Sequence, residues 1–213
     1  MELLKTGAAL GVHGAIVWME WSTLRRLRRK QDLAKYYTYL SNLTAAIASA
    51  LYIAAIILGF SVSPWLKGLR FTATYMLLIA MAVFTFVLLP GGKAGNTITD
   101  EDFIEIPPEK ANLILHYLCP ALSAVSFLLL ERQPVLENSG WMLFAISPTI
   151  VYWTVYLILS AAKRWKDPYG FFEPSDQPKN LFTALTDILI FLLIPALSMG
   201  LNYLLWWINT LNF

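Results

Sequence analysis

Apolar residues run along this chain in six blocks, each of roughly 20 residues and so long enough to cross a hydrocarbon core as a helix. They predict membrane helices over Leu3–Leu24, Tyr37–Phe60, Leu69–Leu89, Ala111–Leu130, Trp141–Ala162 and Leu181–Ile208. Polar punctuation separates them: the basic run Arg25–Lys30, Ser61–Lys67 with Pro64, Pro90-Gly91-Gly92, Glu131–Asn138, and a Pro-containing stretch from Lys163 to Asn180. The first block has no small-residue cleavage site, and its basic run follows rather than precedes it, so it reads as a retained helix. No internal repeat is visible, and the whole of 1–213 reads as a single all-α membrane domain.

The polar residues inside the blocks are ordered. Thr38, Ser41, Asn42, Ala45 and Ser49 share one face of the second helix, and Asn112, His116, Cys119, Ser123 and Ser126 share one face of the fourth. His13 and Glu20 lie seven apart on the first helix, and Thr183, Thr186 and Asp187 open the sixth. The second and fourth helices enter from the same side. With a rise of about 1.5 Å per residue, Thr38 falls within roughly 2 Å of that boundary and His116 about 8 Å below it. Thr38, Asn42, Asn112, His116, Glu20 and Asp187 are therefore predicted to line one polar pocket in that half of the membrane. Pro120 has no N–H for the carbonyl of His116, which predicts a kink beside the histidine.

A plain structural role competes at several of these positions. Ser41, Ser49, Ser123 and Ser126 suit helix–helix hydrogen bonding, and Glu20 and Asp187 suit the headgroup level. His13, beside Gly7, Gly11 and Gly14, suits an interhelix hydrogen bond on a small-residue packing face.

Composition narrows the class. Hydrophobic residues make up 57% of the chain and charged residues 14%, against about 25% charged in soluble domains, which excludes a disordered protein and argues against a soluble enzyme. A net charge of +2 gives no footing for nucleic acid, so membrane lipids are the expected surroundings. One cysteine and two histidines exclude a disulfide scaffold and a thiolate zinc site, and no metal or cofactor is expected. Twelve of the 16 Lys and Arg fall in loops 25–36, 91–110 and 163–180. The positive-inside rule then places these loops in the cytoplasm and both termini outside.

A threonine hydroxyl becomes a nucleophile when a base removes its proton, and imidazole is suited to that near neutral pH. Thr38 and His116 could form such a pair on neighbouring helices. Asn42 or Asn112 would then donate to an oxyanion or orient the ring, and Asp187 or Glu20 would act as a third, orienting group.

The run Lys35-Tyr36-Tyr37-Thr38-Tyr39-Leu40-Ser41-Asn42 resembles the start of the second region of the androgen-induced and androgen-dependent membrane proteins and their bacterial six-span relatives. Asn112-Leu113-Ile114-Leu115-His116 with Pro120 resembles their second motif, and Trp165–Glu173 is similar to their aromatic loop before the last helix, although it lacks that loop's second proline. The eukaryotic members hydrolyse fatty acid esters of hydroxy fatty acids with an intramembrane Thr and His. The resemblance implies Thr38 as nucleophile, His116 as base, a lipid ester as substrate, no cofactor, and a place in a bacterial cell membrane. The alternative reading is a non-catalytic carrier of a lipid or small amphiphile using the same pocket.

Overall fold

The computed structural model describes residues 2–26, 35–90, 105–131, 140–165, 169 and 181–211, and only the backbone of residues 2, 3 and 181–191. All the regular structure among the described residues is helical, in six long helices. These are α1 (Glu2–Leu24), α2 (Tyr37–Ile57), α3 (Pro64–Leu88), α4 (Pro108–Leu130), α5 (Gly140–Ala161) and α6 (Leu181–Thr210). α2 to α5 and the Leu192–Thr210 part of α6 are long and apolar enough to cross a membrane. α1 matches them in length but carries Glu2, Lys5, His13 and Glu20. It packs against α2 and α4 through one buried face, Ala9, His13, Ile16, Glu20 and Thr23. Gly7 and Gly11 lie on the opposite, exposed face, so the glycines do not form the packing face expected beside His13.

α3 is the centre of the bundle and touches α2, α4, α5 and α6. Phe71, Tyr75, Leu77 and Ile79 are buried along it. At Gly68 the ring of Trp141 lies where a Cβ would stand, so only glycine admits this approach of α5. α3 also begins five residues before the apolar pattern predicts. The Ser63 side chain accepts the N–H of Leu66, and Pro64 occupies the first helical position, where its missing N–H costs nothing. Arg70 is thereby carried about 9 Å into the helix.

Three wide π-helical turns interrupt the bundle, at Phe84–Leu88, Ile114–Leu118 and Ser126–Leu130. In the second, Cys119 N–H bonds to Ile114, five residues back, which leaves the carbonyl of Leu115 without its usual donor. Pro120, which follows, likewise offers no N–H to the carbonyl of His116. The irregularity predicted from Pro120 is thus a widened turn that contains His116 itself.

Candidate functional site

Thr38 and His116 meet. Thr38 Oγ1 lies 3.1 Å from His116 Nε2, and both side chains are buried. Thr38 stands at the start of α2, where its carbonyl is gripped by two side chains of its own helix. Ser41 Oγ donates to it at 3.0 Å and Asn42 Nδ2 at 2.7 Å. The same Asn42 amide reaches the Leu115 carbonyl freed by the π turn, at 3.5 Å, and so ties α2 to α4 beside the pair. The imidazole stacks on Phe84, with ring centres 4.1 Å apart and planes 17° from parallel. Phe84 opens the π turn of α3. The ring is therefore clamped on a face and at an edge. For the Thr38 hydroxyl to donate, Nε2 must be the bare nitrogen and Nδ1 must carry the proton. Nδ1 faces no hydrogen-bond partner of good geometry among the described residues, although the Asn112 backbone lies close to the ring.

On the other side of Thr38 is a cavity of about 200 Å³ bounded by α2, α3, α5 and α6. Its wall is largely apolar, with Ile79, Val83, Ile146, Ile150, Ile194 and Met199 facing it. Thr38 is part of that wall, whereas His116 stands behind it. Tyrosines brace this end. Tyr37 N–H donates to Tyr169 Oη at 2.8 Å, Tyr37 Oη pairs with Thr149 Oγ1 at 2.6 Å, and Tyr152 Oη donates to the Lys35 carbonyl at 2.7 Å. Tyr169 thus reaches the helix start next to Thr38, which the sequence reading of its loop did not anticipate.

A second polar cluster joins α1, α2, α3 and α4 nearer the opposite end of α2. Arg70 embraces Glu131 with Nε to Oε2 at 3.1 Å and Nη2 to Oε1 at 2.8 Å. Oε1 also accepts from Ser126 Oγ at 2.9 Å and lies 3.2 Å from His13 Nε2. His13 Nδ1 pairs with Ser49 Oγ at 3.1 Å. Burial alone would raise the Glu131 carboxyl, but the Arg70 guanidinium and the His13 hydrogen bond hold it down at about 2. His13 is accordingly the interhelix hydrogen-bonding residue that its position suggested. The charges of Arg70 and Glu131 read in the sequence as span-end residues. The signal for their pairing is an arginine more than a turn inside an apolar helix, which demands a buried partner.

The register of that cluster places Glu20. His13 meets Ser49 on α2 and Ser126 on α4, and two turns further on the same antiparallel pairings bring Glu20 level with Asn42 and Cys119. The Cys119 thiol indeed lies beside its carboxyl. Glu20 is fully buried, and neither of its oxygens has a hydrogen-bond partner among the described residues. Thr23 Oγ1 and Asn42 Oδ1, at the same end, share that condition.

Of the five predicted pocket residues whose side chains are described, only Thr38 faces the cavity. His116 and Asn42 back it, Asn112 is half-buried one turn N-terminal to the histidine, and Glu20 lies on the α1 side. Asp187, with Thr183 and Thr186, has its side chain outside the described residues, as does most of the aromatic loop, residues 166–168 and 170–180. The Asn42 amide, expected at an oxyanion or the imidazole, is spent on backbone carbonyls. No protein-family model, no curated protein and no solved structure matches the chain.

Proposed function

We propose that this protein is an intramembrane hydrolase of lipid esters, with Thr38 as nucleophile and His116 as general base. One observation carries the reading: a threonine hydroxyl sits 3.1 Å from an imidazole nitrogen while also facing an apolar cavity. In the first step Thr38 Oγ adds to the ester carbonyl as its proton passes to His116 Nε2. Collapse of the tetrahedral adduct breaks the bond to the alkoxy oxygen, which leaves as an alcohol with the proton returned by His116. Water then gives its proton to His116 and attacks the acyl-threonine, releasing the carboxylic acid and restoring both residues. The apolar wall of the cavity suits an acyl chain, and the resemblance to the androgen-induced membrane proteins makes fatty acid esters of hydroxy fatty acids the first substrates to try.

The charge distribution and the resemblance together support a bacterial cell membrane as the setting, with the Thr38 end of the bundle toward the cytoplasm. A lipid carrier could use the same apolar space, but it has no need of a hydroxyl clamped against a stacked imidazole. The test is labelling with a fluorophosphonate bearing an alkyl chain, followed by peptide mass spectrometry. The expected adduct is on Thr38 and disappears in Thr38→Ala. Undiminished labelling of Thr38→Ala would overturn the nucleophile assignment.

A further inference from the structure

The cavity wall is largely apolar, but several hydroxyl-bearing residues are among its lining. Thr149 and Ser198 line it from α5 and α6, and Tyr75 of α3 brings its hydroxyl close to both. Thr149 Oγ1 is engaged by Tyr37 Oη. Tyr75 Oη and Ser198 Oγ, by contrast, lie near each other but have no hydrogen-bond partner of good geometry among the described residues, although Tyr75 is fully buried and Ser198 is 3% exposed. Several other helical hydroxyls in the bundle avoid this by bonding back to their own helix. Thr44 donates to the Leu40 carbonyl and Thr72 to that of Gly68, both four residues back. Ser198 has the same option and does not take it. Phenylalanine at 75 and alanine at 198 would pack this spot without leaving polar groups unspent, so the two hydroxyls call for a partner supplied by whatever fills the cavity.

We propose that Tyr75 and Ser198, with Thr149 beside them, form a subsite that hydrogen-bonds one uncharged oxygen partway along the bound acyl chain. The inference rests on the reading of this cavity as the acyl-chain site. The oxygen is uncharged because no Lys, Arg or His lines the cavity among the described residues, and a carboxylate there would be buried without a counter-charge. It is also distinct from the reacting ester. Thr149 is engaged by the Tyr37 hydroxyl, whereas the Thr38 hydroxyl pairs with His116 on α4. A chain-borne hydroxyl is the group that satisfies both hydroxyls of the protein, since it can accept from them and donate in turn. The subsite would therefore select hydroxylated over plain acyl chains.

The experiment measures binding without turnover. Methyl hexadecanoate and a series of its positional hydroxy isomers compete against a fluorescent acyl ester for purified Thr38→Ala protein in detergent. At least one isomer is expected to displace the probe at roughly five- to tenfold lower concentration than the parent, the scale of one or two net hydrogen bonds. That advantage should shrink to about twofold or less in Tyr75→Phe and in Ser198→Ala, while methyl hexadecanoate binds both as before and so reports intact folding. Hexadecyl methyl ether and its hydroxy isomers, which cannot be hydrolysed, give the same comparison on the wild-type protein. No preference for any isomer, or a preference that survives both substitutions, would overturn the subsite. Because binding needs no chemistry at Thr38, an absence of ester turnover would sink the hydrolase reading and leave this one standing.

Discussion

Glu131→Leu should destabilise the bundle far more than the loss of an exposed glutamate would. Its carboxylate accepts from Nε and Nη2 of Arg70 and from the Ser126 hydroxyl, and it contacts His13. Without it, the Arg70 guanidinium remains fully buried with only the Ser123 hydroxyl, at 3.4 Å, as a side-chain partner among the described residues. Breaking a buried pair in this way costs about 3–5 kcal/mol, because the surviving charge keeps its desolvation penalty without its counter-charge. For a chain of this size about 1 kcal/mol moves a melting midpoint by some 2–4 °C, so the expected drop is roughly 6–20 °C. Replacing both charges, as Arg70→Met with Glu131→Leu, removes the stranded charge and should recover most of that loss. Cys119 supplies the assay, since it is the chain's one cysteine and is fully buried. A maleimide dye that fluoresces on reaction reports unfolding in detergent through this single thiol. If the double variant melts lower by the sum of the two single losses, Arg70 and Glu131 do not act as a pair and the reasoning fails.

The same carboxylate sets a pH dependence. Its native pKa is depressed, so its contribution is complete above the ordinary carboxylate range near 4.5 and is lost as pH falls toward about 2. The melting midpoint of the wild type should fall over that window, and the double variant should lose this component; an unchanged profile would contradict it. Gly68→Ala should lower the midpoint by several degrees, because its methyl group meets the Trp141 ring, and Trp141→Leu should relieve the effect. Ala80→Trp, which fills the cavity beside Thr38, should abolish turnover of long-chain esters while sparing fluorophosphonate labelling by a short-chain probe; equal loss of both would point to a collapsed site. Phe84→Ala should cut turnover about tenfold or more by releasing the stacked imidazole, with a small change in substrate affinity, and an unaltered rate would show that the stacking is incidental.

The pairing of Thr38 with His116 was legible because helix periodicity is strict. Steps of three and four residues put each on a continuous polar face, and the two faces belong to helices entering from one side. Burial of Thr38, Ser41, Asn42, Ala45 and Ser49 follows that stripe residue by residue. The π turns carry no comparable signal. Pro120 marks one of them, but nothing in Phe84–Leu88 or Ser126–Leu130 distinguishes those residues from ordinary apolar helix. Convergence of polar residues predicts open space among them, and the structure places the cavity elsewhere. Polar side chains fill the interior by bonding to one another, and the space opens instead on the apolar faces of α3, α5 and α6. Arg70 opens the third apolar block and Glu131 follows the fourth, and a buried ion pair between such distant segments leaves no local pattern.

The most direct measurement is ester turnover by the purified protein in detergent, wild type beside Thr38→Ala and His116→Ala. Branched fatty acid esters of hydroxy fatty acids serve as substrates, with a p-nitrophenyl ester for comparison and Cys119 melting curves as the folding control. The account predicts turnover in the wild type and its loss in both variants at unchanged melting midpoints. Equal turnover in wild type and Thr38→Ala, or none in the wild type on either substrate, would contradict it.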